Sequence, residues 1–286
     1  MKITACAHGK INWALNITGL RSDGYHELDM LMQSIALGDD MVFEDAAGLT
    51  LTVDGRPDPD PERNLVIRAA RALMTHTGTR HGAAISLNKH VPARAGLGGG
   101  SADCALTLRA LNRLWALGLH DDELLALGAK LGADVPFCLT GGLARVRGIG
   151  EQIVPIEVAP SLPLVLVTPG GGLSTAEVFR LWDQGRFPPV ELDADRLAAA
   201  IVRKDLTAVD ILTANALTAP ALTLLPEIGE VMSQLRGFGS PAVFMTGSGS
   251  TVVAAFDSPE KARSAAQAIP HALLTHTLSG LELPRT

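Results

Sequence analysis

Aromatic side chains are scarce: Phe, Trp and Tyr make up only 4% of the 286 residues, and tyrosine occurs once, at Tyr25. A ring in a loop therefore stands out against a chain that packs mainly with aliphatic residues. Cysteine is equally sparse, with Cys6, Cys104 and Cys138 widely spaced and without a CxxC pair. That excludes a disulfide framework and reads as three packing residues of a reduced protein. Positive charge is in deficit, with a formal net charge of −6. A general nucleic-acid binder is excluded on that ground, because neutralising many phosphates needs a basic face. A local site for one small anion is not. No run approaches the roughly 20 apolar residues of a membrane span. Lys10 and Asn12 interrupt any apolar stretch near the start, so no signal peptide is read there. The expected location is the cytoplasm, with neither membrane nor nucleic acid as partner.

Several common site motifs are also missing. A P-loop fails because Ile11 follows Gly9-Lys10 and Thr4 holds the first glycine position. A dinucleotide fingerprint starting at Gly96 fails at Ser101, and a nucleophile elbow around Ser101 fails at Asp103. There is no H-E-x-x-H, and no CxxC pair accompanies the histidines to complete a zinc site.

What is present is an ordinary globular composition, 47% hydrophobic and 19% charged, in a length suited to about two domains. Ile11, Trp13, Leu15 and Ile17 alternate with Asn12, Ala14 and Asn16 and predict a strand with one apolar face, followed by a turn over 19–24. Further strands are predicted around 28–32, 41–43 and 49–53, then a surface loop over 55–63. Helical spacing over 64–78 ends at Gly78. A short strand at 84–87 leads into Val91-Pro92-Ala93-Arg94-Ala95-Gly96-Leu97-Gly98-Gly99-Gly100-Ser101-Ala102-Asp103. A helix follows to Gly118, and another spans Asp121 to about Leu131.

Strands at 143–146 and 153–158 close this half. Pro160-Ser161-Leu162-Pro163 is the predicted boundary, giving domains 1–160 and 161–286. Beyond it come a strand at 164–167 and a capping box at Ser174–Glu177 that opens a short helix. A loop at Phe187-Pro188-Pro189, helices near 195–203 and 226–235, strands at 242–245 and 251–256, a helix near 259–269 and a strand near 273–277 complete the order. Strand, helix, hairpin, helix, strand is the order of a split βαβ, ferredoxin-like unit. The predicted class is α+β.

The glycine-rich stretch carries the chemistry. Glycine allows close backbone approach, and a helix N-terminus presents unpaired amides and a partial positive charge. Such a loop is suited to phosphate; the alternative is a tight crossing of strand and helix. The second loop, Gly247-Ser248-Gly249-Ser250, is compatible with a phosphate contact or a plain hairpin turn.

Pro92–Asp103 resembles the nucleotide loop of the GHMP small-molecule kinases, close to P-x-x-A-G-L-G-G-G-S-S-D, and Met245–Ser250 resembles their C-terminal glycine motif. Gly9-Lys10-Ile11-Asn12, Asp23-Gly24-Tyr25-His26-Glu27 and Leu131-Gly132-Ala133-Asp134-Val135-Pro136-Phe137 are similar to one branch, which phosphorylates a cytidyl-diphosphate-linked alcohol in the non-mevalonate isoprenoid route. The resemblance implies a two-domain GHMP kinase fold, an N-terminal mixed sheet with the glycine loop and a C-terminal ferredoxin-like domain. It implies ATP and Mg²⁺ as cofactors and a cytidyl diphosphate as the small-molecule substrate, with monomer and homodimer equally open.

By this resemblance Asp134 is the base that takes the hydroxyl proton and Lys10 sits beside it; an ammonium close by favours the ionised carboxylate. Read without the family, Asp134 is a helix-terminal loop residue and Lys10 an edge-strand charge. The resemblance further implies that Asn12 and Thr175 contact substrate, Tyr25 stacks on the cytosine, His26 reads its edge and Phe179 covers the other face; core packing is the alternative for Phe179. Asn64 lies on the adenine side or is simply an N-cap. Pro92, Ala93, Arg94, Ala95, Gly96, Leu97, Gly98, Gly99, Gly100, Ser101 and Ala102, with Gly247, Ser248 and Gly249, form the ATP site. No metal ligand is assigned.

Three departures mark this chain. Ala102 replaces the second serine and leaves Ser101 as the loop hydroxyl. Arg94 stands where the family has glycine, either as an added phosphate contact or as a solvent-facing charge. His8-Gly9 replaces Pro-Ala before the lysine. Kinases of the same family acting on mevalonate, homoserine or a sugar usually carry Gly-Glu-His near the first motif. A catalytically silent nucleotide-binding protein is the reading from another class, and retention of both Lys10 and Asp134 speaks against it.

Overall fold

The computed structural model describes residues 1–157, 160–185, 187, 188 and 190–280. Val158 of the predicted strand and Pro189 of the predicted loop lie outside the described residues. The first half begins with two long antiparallel strands, β1 (Lys2–Leu20) and β2 (His26–Ala46), then β3 (Leu49–Val53), β4 (Arg56–Pro57), α1 (Leu65–Thr77) and β5 (Gly82–Asn88). Helices α2 (Gly99–Leu114), α3 (Asp121–Leu131) and α4 (Val135–Thr140) and strands β6 (Leu143–Gly148) and β7 (Gln152–Ile156) follow. One edge of β2 pairs with β1 along its length. The other edge is shared, with residues 28–33 on β6 and 40–46 on β5. The sheet order is β4-β3-β5-β2-β6-β7, mixed because β3 and β5 run parallel.

The second half contains β8 (Pro163–Val167), α5 (Thr175–Trp182), α6 (Ala194–Val202), α7 (Leu206–Leu212), α8 (Thr218–Leu224), α9 (Glu227–Gly237), β9 (Ala242–Met245), β10 (Val252–Ala255), α10 (Pro259–Ala268) and β11 (Leu273–His276). Its four strands form an antiparallel sheet in the order β11-β8-β10-β9. Fourth, first, third, second is the arrangement of the predicted split βαβ unit. Leu164 and Leu166 enter one core with Ile11, Trp13 and the α6–α7 pair, while Val165 and Val167 enter the other. Burial on both faces explains why these strands read as unbroken apolar runs.

The predicted apolar face of β1 is split. Ile11 and Trp13 pack in the core shared with the second sheet, where Trp13 meets Phe244 at a ring separation of 5.1 Å. Leu15 and Ile17 pack in the other core. The register shift between Asn12 and Ala14 is the cause: one extra residue sends each later side chain to the opposite face.

Other differences are local. The expected 19–24 turn narrows to 21–25, since β1 runs to Leu20. Helix α2 stops at Leu114 rather than Gly118. The Ser174 capping box does not form, because the Ser174 side chain makes no cap bond. Helices α4, α7 and α8 went unpredicted; each is only 6 or 7 residues long, too short for periodicity to declare itself. By contrast α1 carries the predicted caps, with Asn64 Oδ1 accepting from the Val66 amide and Gly78 left-handed at φ 72°. No helix among the described residues is long and apolar enough to cross a membrane.

Candidate active site

A cleft of about 660 Å³ opens between the glycine-rich loop and the start of α5. Its floor is β1. A register shift between His8 and Lys10 lets the Lys10 amide leave the ladder and donate to the Leu97 carbonyl at 2.9 Å. Lys10 and Asn12, two apart on the strand, then share a face. The Lys10 ammonium donates to Asn12 Oδ1 at 2.7 Å and to the Gly96 carbonyl at 3.0 Å. It also lies 3.4 Å from Asp134 Oδ2. Lys10 is only 4% exposed, so the ammonium is held by fixed acceptors rather than by bulk water.

Asp134 occupies the N-cap position of α4, yet its side chain makes no capping bond. Pro136 and the preceding Gly132 break α3 from α4 here, and the carboxylate is left partly open to the cleft. A carboxylate free of backbone donors and faced by a buried ammonium can accept a proton from a hydroxyl held between them.

At the opposite wall the glycine loop performs two tasks. Gly96 has φ 77°, and a Cβ there would sit 2.6 Å from the Thr246 carbonyl, so glycine is required where the two glycine loops cross. The close crossing at this residue is thus between two loops, not the strand–helix crossing offered as the alternative. Gly98 has φ 69°, and a Cβ on it would meet the Lys10 stem at 2.9 Å. Next to them, helix α2 begins inside the loop. Its first intrahelical bond runs from the Ala102 amide to the Gly98 carbonyl, which leaves the amides of Gly99, Gly100 and Ser101 outside the helical ladder at the cleft. Three amides at the positive end of a 16-residue helix make a suitable receptor for phosphate oxygens.

The loop is anchored from behind by charges that the sequence reading missed. Asp39, fully buried on β2, accepts from the amides of His90 and Val91 at 2.5 and 2.8 Å. Lys89 bridges the carboxylates of Asp39 and Asp103, the latter at 2.7 Å. Burial, reinforced by the nearby Asp39 carboxylate, pushes the Asp103 carboxyl up to about 7 against the pull of Lys89. Its Oδ1 atom is buried without a hydrogen-bond partner among the described residues. Burial disfavours the Lys89 ammonium, but the two carboxylates outweigh that and raise its pKa above the ordinary lysine value. The three residues lie on separate elements and share no local pattern, so no sequence signal could have grouped them.

The remaining predicted residues divide. Asn64, Pro92, Ala93, Arg94, Ala95, Leu97, Thr175, Phe179, Gly247 and Ser248 line the same cleft. Asn64 is there while serving as the α1 cap and donating to Asp58 Oδ2 at 2.7 Å. The Thr175 and Ser248 hydroxyls are hydrogen-bonded at 2.8 Å and tie α5 to the second glycine loop. Ala102 is buried behind the loop and, with Gly249, does not line the cleft. Tyr25 and His26 stand outside the cleft lining, at the outer end of the β1–β2 hairpin. The His26 ring lies 4.7 Å from that of Phe179, and its Nε2 is 2.7 Å from Asp183 Oδ1. Tyr25 is 60% exposed and its ring has no aromatic neighbour among the described residues. The two buried thiols, Cys104 and Cys138, are pushed upward by burial, Cys104 to about 12, and so are inert packing groups.

Two family models match the chain: the GHMP kinases N terminal domain over residues 64–142 and the GHMP kinases C terminal model over residues 197–274. A 4-diphosphocytidyl-2-C-methyl-D-erythritol kinase of Pelotomaculum thermopropionicum is 43% identical over 268 residues, 93% of this chain and 93% of the relative. Another, from Moorella thermoacetica, is 41% identical over 96% of this chain and 99% of the relative. A crystal structure of 4-(cytidine 5'-diphospho)-2C-methyl-D-erythritol kinase superposes with a TM-score of 0.83 at 35% identity, covering 98% of this chain and 100% of that one. A homoserine kinase from Cytophaga hutchinsonii shares the fold with a TM-score of 0.76 at 19% identity over 99% of this chain and 96% of its own.

Proposed function

This chain belongs to the GHMP kinases, and we propose that it transfers the γ-phosphoryl group of ATP to the 2-hydroxyl of 4-diphosphocytidyl-2-C-methyl-D-erythritol, in the non-mevalonate route to isoprenoids. The observation that carries this reading is the pairing of buried Lys10 with Asp134 at 3.4 Å, beside the free amides of α2. Phosphoryl transfer asks the protein for positioning, charge neutralisation and a proton acceptor rather than for covalent chemistry.

Asp134 accepts the proton of the attacking hydroxyl, and Lys10 holds that hydroxyl and the carboxylate in one geometry. As the hydroxyl oxygen bonds to the γ-phosphorus, the bond from that phosphorus to the β,γ-bridging oxygen breaks and its electron pair leaves on ADP, whose added charge the amides of Gly99, Gly100 and Ser101 receive. Mg²⁺ suits the donor present: the Ser101 hydroxyl lines the cleft in the first turn of α2, and Mg²⁺ on phosphates needs few protein ligands, all oxygen. Ser101, the hydroxyl of the first α2 turn, would hold it together with the phosphates and water. When bound, the ion supplies charge neutralisation at the transferred group.

For the acceptor, Tyr25 and Phe179 are the two rings available to sandwich a cytosine, with His26 between the hairpin and α5 to read its edge. Asn12 and Thr175 contact the rest of the molecule. Residues 1–160 and 161–286 are assigned to an N-terminal and a C-terminal domain, and the enzyme is placed in the cytoplasm. An ADP-release assay with ATP and Mg²⁺ tests the reading, with 4-diphosphocytidyl-2-C-methyl-D-erythritol beside mevalonate and homoserine. Turnover confined to the cytidyl substrate is the expected result; its absence overturns the assignment.

A further inference from the structure

We propose that Arg94 binds the diphosphate of the nucleotide substrate, as a cation this chain has placed at a position that favours glycine. The proposal rests on the function inferred above. Arg94 has φ 55°, in the left-handed region that side chains rarely occupy. Its carbonyl accepts from the Leu173 amide at 3.2 Å, which ties this backbone to the segment before α5. A Cβ on Gly172 would lie 2.4 Å from that same carbonyl, so the two strands of chain are in tight contact. Of the five non-glycine residues with positive φ among the described residues, only Arg94 lines the cleft.

The charges around the cleft give the Arg94 guanidinium a role. Three cationic side chains line the cleft: Lys10, Lys89 and Arg94. Lys10 faces Asp134, and Lys89 sits between Asp39 and Asp103. Arg94 has no ion pair with any described residue. Both reactants are polyanions, so the one uncommitted cation at the cleft is positioned for a phosphate. Arginine suits this task through its planar fork of donors.

Position selects which phosphate. The free amides of α2 lie at the far end of the loop, at 99–101, and serve ATP. Arg94 instead is bonded to Leu173, two residues before Thr175 and the start of α5, whose Phe179 meets His26. It therefore stands on the acceptor side, not in the ATP site to which the family resemblance assigned it.

Two variants and two probes test this. Titration calorimetry with CDP and with cytidine is run on wild type, Arg94→Gly and Arg94→Lys, alongside steady-state kinetics and thermal unfolding. Arg94→Gly should melt no lower than wild type, since glycine relieves the φ. It should bind cytidine normally, bind CDP at least tenfold more weakly, and show a matching rise in KM for the cytidyl substrate. KM for ATP should stay within twofold. Arg94→Lys should recover part of the CDP affinity. Unchanged CDP binding in Arg94→Gly, equal loss of CDP and cytidine, or a rise confined to the KM for ATP would each overturn the proposal. Wild-type turnover separates the two readings: its absence counts against the proposed function, whereas normal wild-type turnover with an unaffected Arg94→Gly counts against Arg94 alone.

Discussion

Asp103→Asn should change how the stability of this enzyme depends on pH. The Asp103 carboxyl titrates at about 7 in the native protein, because burial and the Asp39 carboxylate oppose its ionisation more than Lys89 favours it. In the unfolded chain the same group titrates near 4. The native state therefore binds the extra proton between these values. Stability from this group is fully present below about pH 4 and is lost as pH rises through about 7. Integrating one proton over that interval, the wild type should lose about 2.5 kcal/mol between pH 5 and pH 8. Asparagine has nearly the shape of the protonated acid and can still accept from Lys89, but it cannot ionise. Urea unfolding of both proteins at pH 5, 6, 7 and 8 measures the difference. The Asn variant should gain on wild type steadily, by about 2.5 kcal/mol over the series, and the steepest change should lie between pH 5 and 7. Parallel curves would refute the buried-acid account of the Asp39–Lys89–Asp103 cluster.

Three further outcomes follow from the same geometry. Asp134→Asn should fold and bind both substrates, while kcat falls by about 10²–10⁴, the range of a lost general base; a near-normal kcat in rapid-quench assays would remove Asp134 from that role. Gly96→Ala places a Cβ 2.6 Å from the Thr246 carbonyl at φ 77°, so thermal unfolding should show a loss of at least about 1–3 kcal/mol. An unchanged melting temperature would mean that the two glycine loops do not cross as described. Asn64→Ala removes the α1 cap and the bond to Asp58, which should cost about 1 kcal/mol in denaturant titrations. Its KM for ATP then reports separately whether the side chain also serves the nucleotide.

Much of the fold was legible because its signals are local. Helix α1 announced itself through its apolar spacing and both caps, and α3 through its acidic first turn and the glycine after it. The ferredoxin-like half was readable from element order, since short connections leave few topologies for strand, helix, hairpin, helix, strand. The first two strands were read in fragments, because burial on both faces erases the alternation that marks a strand's extent. The bulge between Asn12 and Ala14 left no trace either, although it decides which core receives Leu15.

At the site the division is sharper. The sequence by itself determined the glycine-rich loop, the helix start that follows it and the residue types available for phosphoryl transfer, because motif spacing along one chain encodes those. Only the tertiary structure decided that Lys10 and Asp134, 124 positions apart, meet at 3.4 Å. It also decided that Gly96 is glycine for the sake of a crossing with Thr246, and that Asp39, Lys89 and Asp103 brace the loop from behind. Those contacts join elements distant in sequence, and their energies depend on burial that no stretch of the chain carries alone.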